Sequence, residues 1–589
     1  MASKTVTLLV TALLVALPNA AGAQIIIAPG CPPGYILIPP DECVPEPPPI
    51  TEPEPVIIIP GILASLNIKT TLLDEDGGKW QFLPAAKPVY QGLIERLEQA
   101  GADVFVAHYD WRQPAAENSL QYLKETIDQA KAATGRDTVD IVAHSFGGLV
   151  ARDYIQGSQY AGDVDQLITL GTPHKGSADA YLAREGGIIP DRWSAGSRWY
   201  ITLVERTLNA RAGAAPIPRP ESLRTFFPSL LDLVPTEPFV IRDSAPIPLE
   251  DMAARNLYLS ARNDTLEADL GSAGVELVTL AGTGLGTLKN IPADEGSLIE
   301  RALDALFGRW RDGHPAPDPP TTDTSEGDQT VTLASARLDT TAPISNIAHD
   351  KLPEELQEEV LDVLDITPTG THLAYDLPES VLGNAVLSPL VATVHFPDGT
   401  SFTCDHTYTQ GPASCLTDDT DPDTPKLLEV ADPPTGEYTI TYTGTDTGEY
   451  TVITTYADEN ETVSSVQEGA TTAGEVTTEQ VTISPETTSL IDDADFRALL
   501  QQLEQEIRQA KREGNITGRQ WAQLHRPLEQ AQQHLRQYDH AVKNGKQRDA
   551  EKHLRRYHQA LDQLLEQLLG EWRQTAQKIK AYSPPLATH

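Results

Sequence analysis

Between residues 55 and about 175, short β-branched runs alternate with stretches of helical periodicity, and this rhythm limits what the chain can fold into more than any other feature. Val56–Ile59 is an unbroken β-branched run, the pattern of a strand covered on both faces. Val89–Ala100 carries Leu93, Ile94 and Leu97 at helical spacing and stops at Gly101. Asp103–Ala107 predicts a strand and Ser119–Ala133 a helix closed by Thr134-Gly135. Val139–Ala143 then predicts a strand, Gly147–Ile155 a helix, and Gln166–Leu170 a strand. Successive strands separated by helices pair in parallel, so the fold class expected is α/β, with a doubly wound, mostly parallel sheet.

The remaining chain divides by composition. At 589 residues it exceeds one core, so several domains are expected. Residues 1–23 read as an export signal: Lys4, an apolar run over Thr5–Pro18, and the small-residue site Ala21-Gly22-Ala23 before Gln24. That run is shorter than the ~20 residues a bilayer needs, so no transmembrane segment is expected and the destination is secreted or extracytoplasmic. Residues 24–54 form a Pro-rich leader holding Cys31 and Cys43. The other two cysteines, Cys404 and Cys415, are also a local pair, and two disulfides fit an exported chain. The α/β domain extends over 55–365. Within it, 176–260 breaks the rhythm and predicts a mostly helical lid. A strand at Val275–Leu280, a helix at Ser297–Trp310, a strand at Thr330–Leu333 and a helix at Pro353–Leu364 complete it. Residues 366–487 are Thr-rich, with short alternating strands such as Tyr438–Tyr442 and Tyr450–Ile453, and predict an all-β sandwich. Residues 488–589 carry apolar positions three and four apart and predict a helical bundle. Its stripes are read as core, with a partner protein or surface as the alternative.

The chemistry concentrates at Ala143-His144-Ser145-Phe146-Gly147-Gly148, between a strand and a helix. A turn this sharp needs small residues two before and two after the Ser, and Ala143 and Gly147 meet that need. It lifts the Ser145 hydroxyl above the sheet and aims the Phe146 N–H at a developing oxyanion. A second donor is expected from Pro60-Gly61-Ile62-Leu63, after the first strand, at Ile62. A nucleophilic Ser needs a base, and the base an orienting acid, in the chain order Ser, acid, His. His174 follows too soon after Ser145. His314 precedes the candidate acid. His349 fits, with Asp328 as the acid where a loop meets a strand, and Asp323 and Asp339 as alternatives.

These motifs, taken in order, resemble the lecithin:cholesterol acyltransferase-like family of α/β hydrolases. The similarity rests on Val56-Ile-Ile-Ile-Pro-Gly61, Tyr109-Asp-Trp-Arg112, Ala143–Gly148 followed by Thr169-Leu-Gly-Thr-Pro-His-Lys-Gly176, Leu280–Leu285, and Gly327-Asp-Gln-Thr-Val331 before His349. The resemblance implies a triad of Ser145, Asp328 and His349, with Ile62 and Phe146 as oxyanion donors. Ala143 and Ala64-Ser65 depart from glycines usual in the family. Asp110 and Arg112 are expected to pair and stiffen the rim. Trp111, with Leu63, is a candidate wall of the acyl site.

The formal net charge of −40 repels phosphate backbones, so nucleic acid is not an expected partner. No metal or other cofactor is called for. Asp418, Asp419, Asp421 and Asp423 are read as a solvated loop rather than a calcium site. Trp193, Trp199, Phe226, Phe227, Leu230 and Leu231 give the lid segment an apolar character suited to lipid-like acyl chains at a lipid interface. The function expected is hydrolysis of carboxylic, lipid-like esters. O-acyl transfer to an alcohol uses the same residues, and a non-catalytic adhesion protein is the third reading.

Overall fold

Five parallel strands form one sheet: β1 (Val56–Ile59), β2 (Val104–Val106), β3 (Val139–His144), β4 (Val164–Leu170) and β5 (Glu276–Leu280), in the spatial order β5-β4-β3-β1-β2. The computed structural model describes residues 54–212, 217–295, 308–316, 326–387, 389–419 and 424–484, the strands Tyr35–Ile38 and Glu42–Pro45, and a few single positions elsewhere. Residues 1–53 form one unit and 54–589 a second. In the first, Tyr35–Ile38 pairs antiparallel with Glu42–Pro45. The export segment, the Cys31–Cys43 pair, nearly all of the predicted bundle and most of the predicted helix 297–310 lie outside the described residues.

Period-two alternation explains why this sheet is covered twice. Ile57 and Ile59 of β1 join Ile141, Ala143 and Leu167 in one core layer. Val56 and Ile58 point the other way, into a layer with Val142, Ile168 and Leu280. Helix α1 (Lys87–Gln99) covers the second face through Val89, Leu93 and Leu97, with Leu352, Leu356 and Val360 beside it. Helices α2 (Lys124–Thr134) and α3 (Phe146–Gln156) cover the first through Ile127, Ala130, Leu149 and Val150. In register, Ile59 lies beside Ala143, His144 beside Leu170, and Leu170 beside Leu280. The turns after β1, β3, β4 and β5 therefore open on one sheet edge, where ligands of parallel sheets bind.

Two local expectations are corrected. Thr330–Leu333 is not a strand. The Asp328 carboxylate accepts the N–H groups of Thr330 and Val331, which bends the chain into a turn that closes as the short helix Leu333–Ala336. The helix expected over 353–364 is two, Leu352–Glu355 and Gln357–Val363, broken at Leu356.

The segment 176–260 is mostly helical, as expected, but much of its apolar surface is sealed rather than offered to solvent. Helix α4 (Ala195–Arg211) is its longest element, and α5 (Leu257–Ala273) follows it and packs on α3. Trp199, Phe227 and Leu230 are fully buried. Helix α4 lies against the strands β6 (Val381–Leu387), β13 (Gly448–Ala457) and β14 (Thr462–Thr471) of a second region. Trp199 Nε1 donates to the Thr455 carbonyl at 3.1 Å, and a Cβ on Gly383 would collide with the Trp199 ring at 2.4 Å.

That region, 381–483, comprises two antiparallel sheets. One has the order β9-β10-β11-β6-β13-β14, where β9 is Tyr408–Gln410, β10 Ala413–Leu416 and β11 Lys426–Ala431. The other has the order β8-β7-β12-β15, where β7 is Leu390–His395, β8 Ser401–Cys404, β12 Gly436–Gly444 and β15 Val476–Ile483. Leu382, Val430 and Val452 of the first share a core with Val394, Ile440 and Val481 of the second. Cys404 and Cys415 form a disulfide that ties β8 to β10, one sheet to the other.

Candidate active site

Strand β3 ends at His144, and helix α3 begins at Phe146, so a single residue makes the turn. That residue is Ser145, at φ 53° and ψ −126°, a conformation an L side chain adopts only under constraint. The constraint is crowding. Gly147 packs so tightly beneath the turn after β1 that a Cβ there would lie 2.6 Å from the Ile59 and Pro60 carbonyl oxygens. Ala143 is fully buried, and the backbone N–H of Ser145 donates to the Leu170 carbonyl at 3.0 Å.

Above this turn three side chains meet. His349 Nε2 lies 2.9 Å from Ser145 Oγ, and His349 Nδ1 lies 2.8 Å from Asp328 Oδ2. The Asp328 carboxylate is fully buried, and its other oxygen is taken up by the N–H groups of Thr330 and Val331. A main-chain bond from His349 N to Asp328 O, 2.9 Å, fastens the two loops together. The Nδ1 proton is thereby directed at Asp328, which leaves Nε2 as the acceptor facing the Ser145 hydroxyl. Burial by itself depresses the His349 imidazole. The charge and hydrogen bond of Asp328, with Asp350 and Asp179 nearby, outweigh it and raise the pKa above the ordinary histidine value. Of the alternative acids, Asp339 accepts the Thr279 and Thr341 N–H groups, and the backbone of Asp323 pairs with Leu288.

The turn after β1 abuts the Ser. A Cβ on Gly61 would come within 3.0 Å of Ser145 Cβ, and only a bare backbone fits there comfortably. Ile62 and Leu63 line the cavity, and Leu63 is itself strained at φ 68°. The Phe146 ring turns away, fully buried and 6.1 Å from Tyr109, so any role at the Ser belongs to its main chain. The cavity has a volume of about 100 Å3 and is partly open to solvent. Apolar residues such as Ala85, Ala86, Val89, Leu233 and Val331 line it together with Asp179, Arg192 and Asp350. Trp193 is the one tryptophan on its wall, and its Nε1 donates to Asp179 at 3.1 Å.

Trp111 is corrected. It is fully buried, stacked on Phe227 at 5.2 Å and tilted against Tyr200, away from the cavity. Its segment braces the site instead. Arg112 grips Asp110 through two bonds of 2.8 and 2.9 Å, and Tyr109 Oη donates to the Pro60 carbonyl at 2.7 Å, steadying the turn after β1. Of the apolar segment 176–260, only Trp193 of the six residues named for acyl contact reaches the cavity.

Two residues escaped the sequence reading. Tyr90 of α1 places its hydroxyl 2.8 Å from His144 Nδ1, and His144 Nε2 lies 2.9 Å from the His349 carbonyl. Tyr90 sits on the apolar face of α1, so its spacing marks it as core. His144 stands inside the Ser145 motif, where only its neighbours carry a steric requirement. Among the described residues no group of three or more His, Cys, Asp and Glu side chains is placed to hold a metal ion.

A parallel sheet, a Ser raised on a strained strand-to-helix turn and a His–Asp pair at its hydroxyl are the arrangement α/β hydrolases share. Residues 83–191 match the family described as lecithin:cholesterol acyltransferase. The chain is 33% identical over 106 residues to a triacylglycerol lipase of Pseudarthrobacter phenanthrenivorans, covering 16% of this chain and 30% of that protein. A triacylglycerol lipase of Burkholderia plantarii is equally identical over the same length, with 16% and 27% covered. The chain thus spans under a third of the curated relatives it matches. The mature form of the Bacillus licheniformis lipase BlEst2 is similar at 16% identity, with 54% of this chain and 93% of that one covered and a TM-score of 0.30. Its propeptide form gives 13% identity, 73% and 96% coverage, and a TM-score of 0.29.

Proposed function

We propose that this chain is an exported serine esterase that cleaves carboxylic, lipid-like esters through an acyl-enzyme. The observation that carries the reading is the hydrogen-bonded line from Ser145 Oγ through His349 to Asp328, at 2.9 and 2.8 Å. His349 takes the Ser145 proton as Oγ bonds to the ester carbonyl carbon. Asp328 holds the imidazole in the required tautomer and stabilises the imidazolium. The N–H groups of Ile62 and Phe146 receive the oxyanion, a contribution of about 3 kcal/mol per donor in such sites. His349 then returns the proton to the departing alcohol, and water activated by the same imidazole releases the acid. The mixed apolar and polar lining of the cavity suits an ester that carries both an acyl chain and a polar head.

The test is a fluorophosphonate probe and a p-nitrophenyl ester. Wild type labels and turns over. Ser145→Ala is folded, unlabelled and slower by at least about 10^3-fold. A Ser145→Ala chain that keeps full turnover overturns the reading.

A further inference from the structure

Two side chains outside the Ser–His–Asp line join the three turns that carry it. Tyr90 is 3% exposed and His144 is 6% exposed. The Gly61 N–H donates to Tyr90 Oη at 2.8 Å. Tyr90 Oη lies 2.8 Å from His144 Nδ1, and His144 Nε2 lies 2.9 Å from the main-chain carbonyl of His349. The protons in this chain have one consistent arrangement. A carbonyl oxygen only accepts, so His144 Nε2 carries the hydrogen. In a neutral imidazole Nδ1 is then the acceptor, and the Tyr90 hydroxyl donates to it. Gly61 cannot do other than donate, and it finds the Tyr90 oxygen lone pair. Every group is satisfied only while His144 stays neutral, and burial together with the adjacent His349 holds its pKa well below the ordinary histidine value.

We infer that Tyr90 and His144 are positioning residues that lock the oxyanion turn, the nucleophile turn and the His349 loop into one geometry. The inference rests on the serine-esterase reading and extends it. The Gly61 N–H, taken by Tyr90, and the Pro60 carbonyl, taken by Tyr109, hold the Pro60–Gly61 peptide, the one immediately before the peptide that carries the Ile62 N–H, and so steady the turn that presents it. The bond from His144 fixes the His349 main chain, and with it the imidazole above Ser145. His144 adjoins Ser145 in sequence, so the elbow itself is the middle of the brace. A displacement of about 1 Å in such an assembly costs on the order of 100-fold in rate.

The residues match the role closely. Tyr90 reaches the site from α1 on the second face of the sheet. Its ring also stacks on Phe82 at 5.3 Å and meets His144 edge-on at 5.7 Å, which leaves the hydroxyl one position. Removing only the oxygen keeps this packing and deletes both hydrogen bonds.

The test uses the full chain with Tyr90→Phe, His144→Asn and the double variant. Four measurements are made: kcat and KM on a p-nitrophenyl ester, affinity for a phenylboronic acid that mimics the tetrahedral adduct, the fraction of serine titrated by fluorophosphonate, and Tm. Tyr90→Phe is expected to lower kcat about 10- to 100-fold, the range of positioning shells elsewhere, with KM within about twofold. Boronic acid affinity falls by a comparable factor, the titrated fraction and Tm stay native, and the double variant is no slower than the slower single one. Tyr90→Phe with native kcat and native boronic acid affinity overturns the inference, as does a loss confined to KM. Should Tyr90→Phe not fold, His144→Asn, which leaves α1 intact, decides by the same measures. Wild type that neither labels nor hydrolyses overturns the underlying esterase reading instead, so the two failures are distinct.

Discussion

Ser145 occupies backbone space that costs on the order of 1–3 kcal/mol. The surrounding crowding pays for it, and Gly61, Gly147 and Ala143 are small because anything larger would close the space the turn needs. The titration of His349 follows from the same geometry. In the proposed mechanism it must be neutral to act as base, so activity is expected to fall as pH drops through its pKa. Asp328 lifts that pKa above 6.5 despite burial. The acid limb of kcat/KM is therefore expected to have its midpoint above 6.5. Asp328→Asn should move it down and lower kcat by up to about 10^4-fold, since the neutral amide no longer secures the tautomer. A pH–rate profile of both proteins checks this, and an unmoved midpoint would count against Asp328 as the partner. Ser145 was legible from sequence because its steric demands fall on immediate neighbours. Asp328 and His349 were legible only through chain order, and their convergence was not.

At the scale of elements, the turns after β1, β3, β4 and β5 share one edge because the parallel register aligns Ile59, Ala143 and Leu170 with their neighbours. Period-two and helical patterns located these elements to within a few residues. They misjudged 330–333, where a side chain took the amides that a strand would have used. They were silent on Glu429 of β11, whose carboxyl is buried against the backbone of Ala85, a residue of the cavity wall. Burial raises its pKa from 4.5 to about 8, opposed in part by the Ala85 backbone. The folded state holds this proton more tightly than the unfolded one. Its favourable contribution is complete below pH 4.5 and is lost as pH rises towards 8, at up to about 1.4 kcal/mol per pH unit for one proton. Glu429→Gln should flatten that slope. Denaturant unfolding at pH 5 and pH 8 measures it, and an unchanged slope would show that the carboxyl ionises freely in the fold.

For the whole molecule, the decisive contact is between α4 and the sheet that holds β6, β13 and β14. The segment 176–260 reads in sequence as a mostly helical, apolar lid. In the fold, Trp199 is pressed between the catalytic region and β6 and β13, with its indole N–H satisfied by Thr455. Buried Trp truncations cost about 3–5 kcal/mol, so exposing this face should be severe. A chain ending at residue 365 is expected to precipitate or melt well below the full protein and to lose esterase activity, because Ser194, Gly196 and Ser197 at the start of α4 line the cavity. Thermal unfolding and p-nitrophenyl ester turnover test it. A soluble, fully active truncation would show that the two regions are independent.

Sequence alone determined what local physics dictates: which runs are strands, which are helices, where the chain must bend sharply, and which Ser that bend presents. Side-chain period and turn sterics act over a few residues, so they are written in consecutive letters. Tertiary structure decided what depends on distance through space. It brought the Tyr90 hydroxyl to a histidine 54 positions away, turned Trp111 from wall to core, and converted an apolar lid into a sealed interface. Those outcomes depend on which surfaces of remote segments meet, and a linear pattern of hydrophobicity marks a face as buried without naming what buries it.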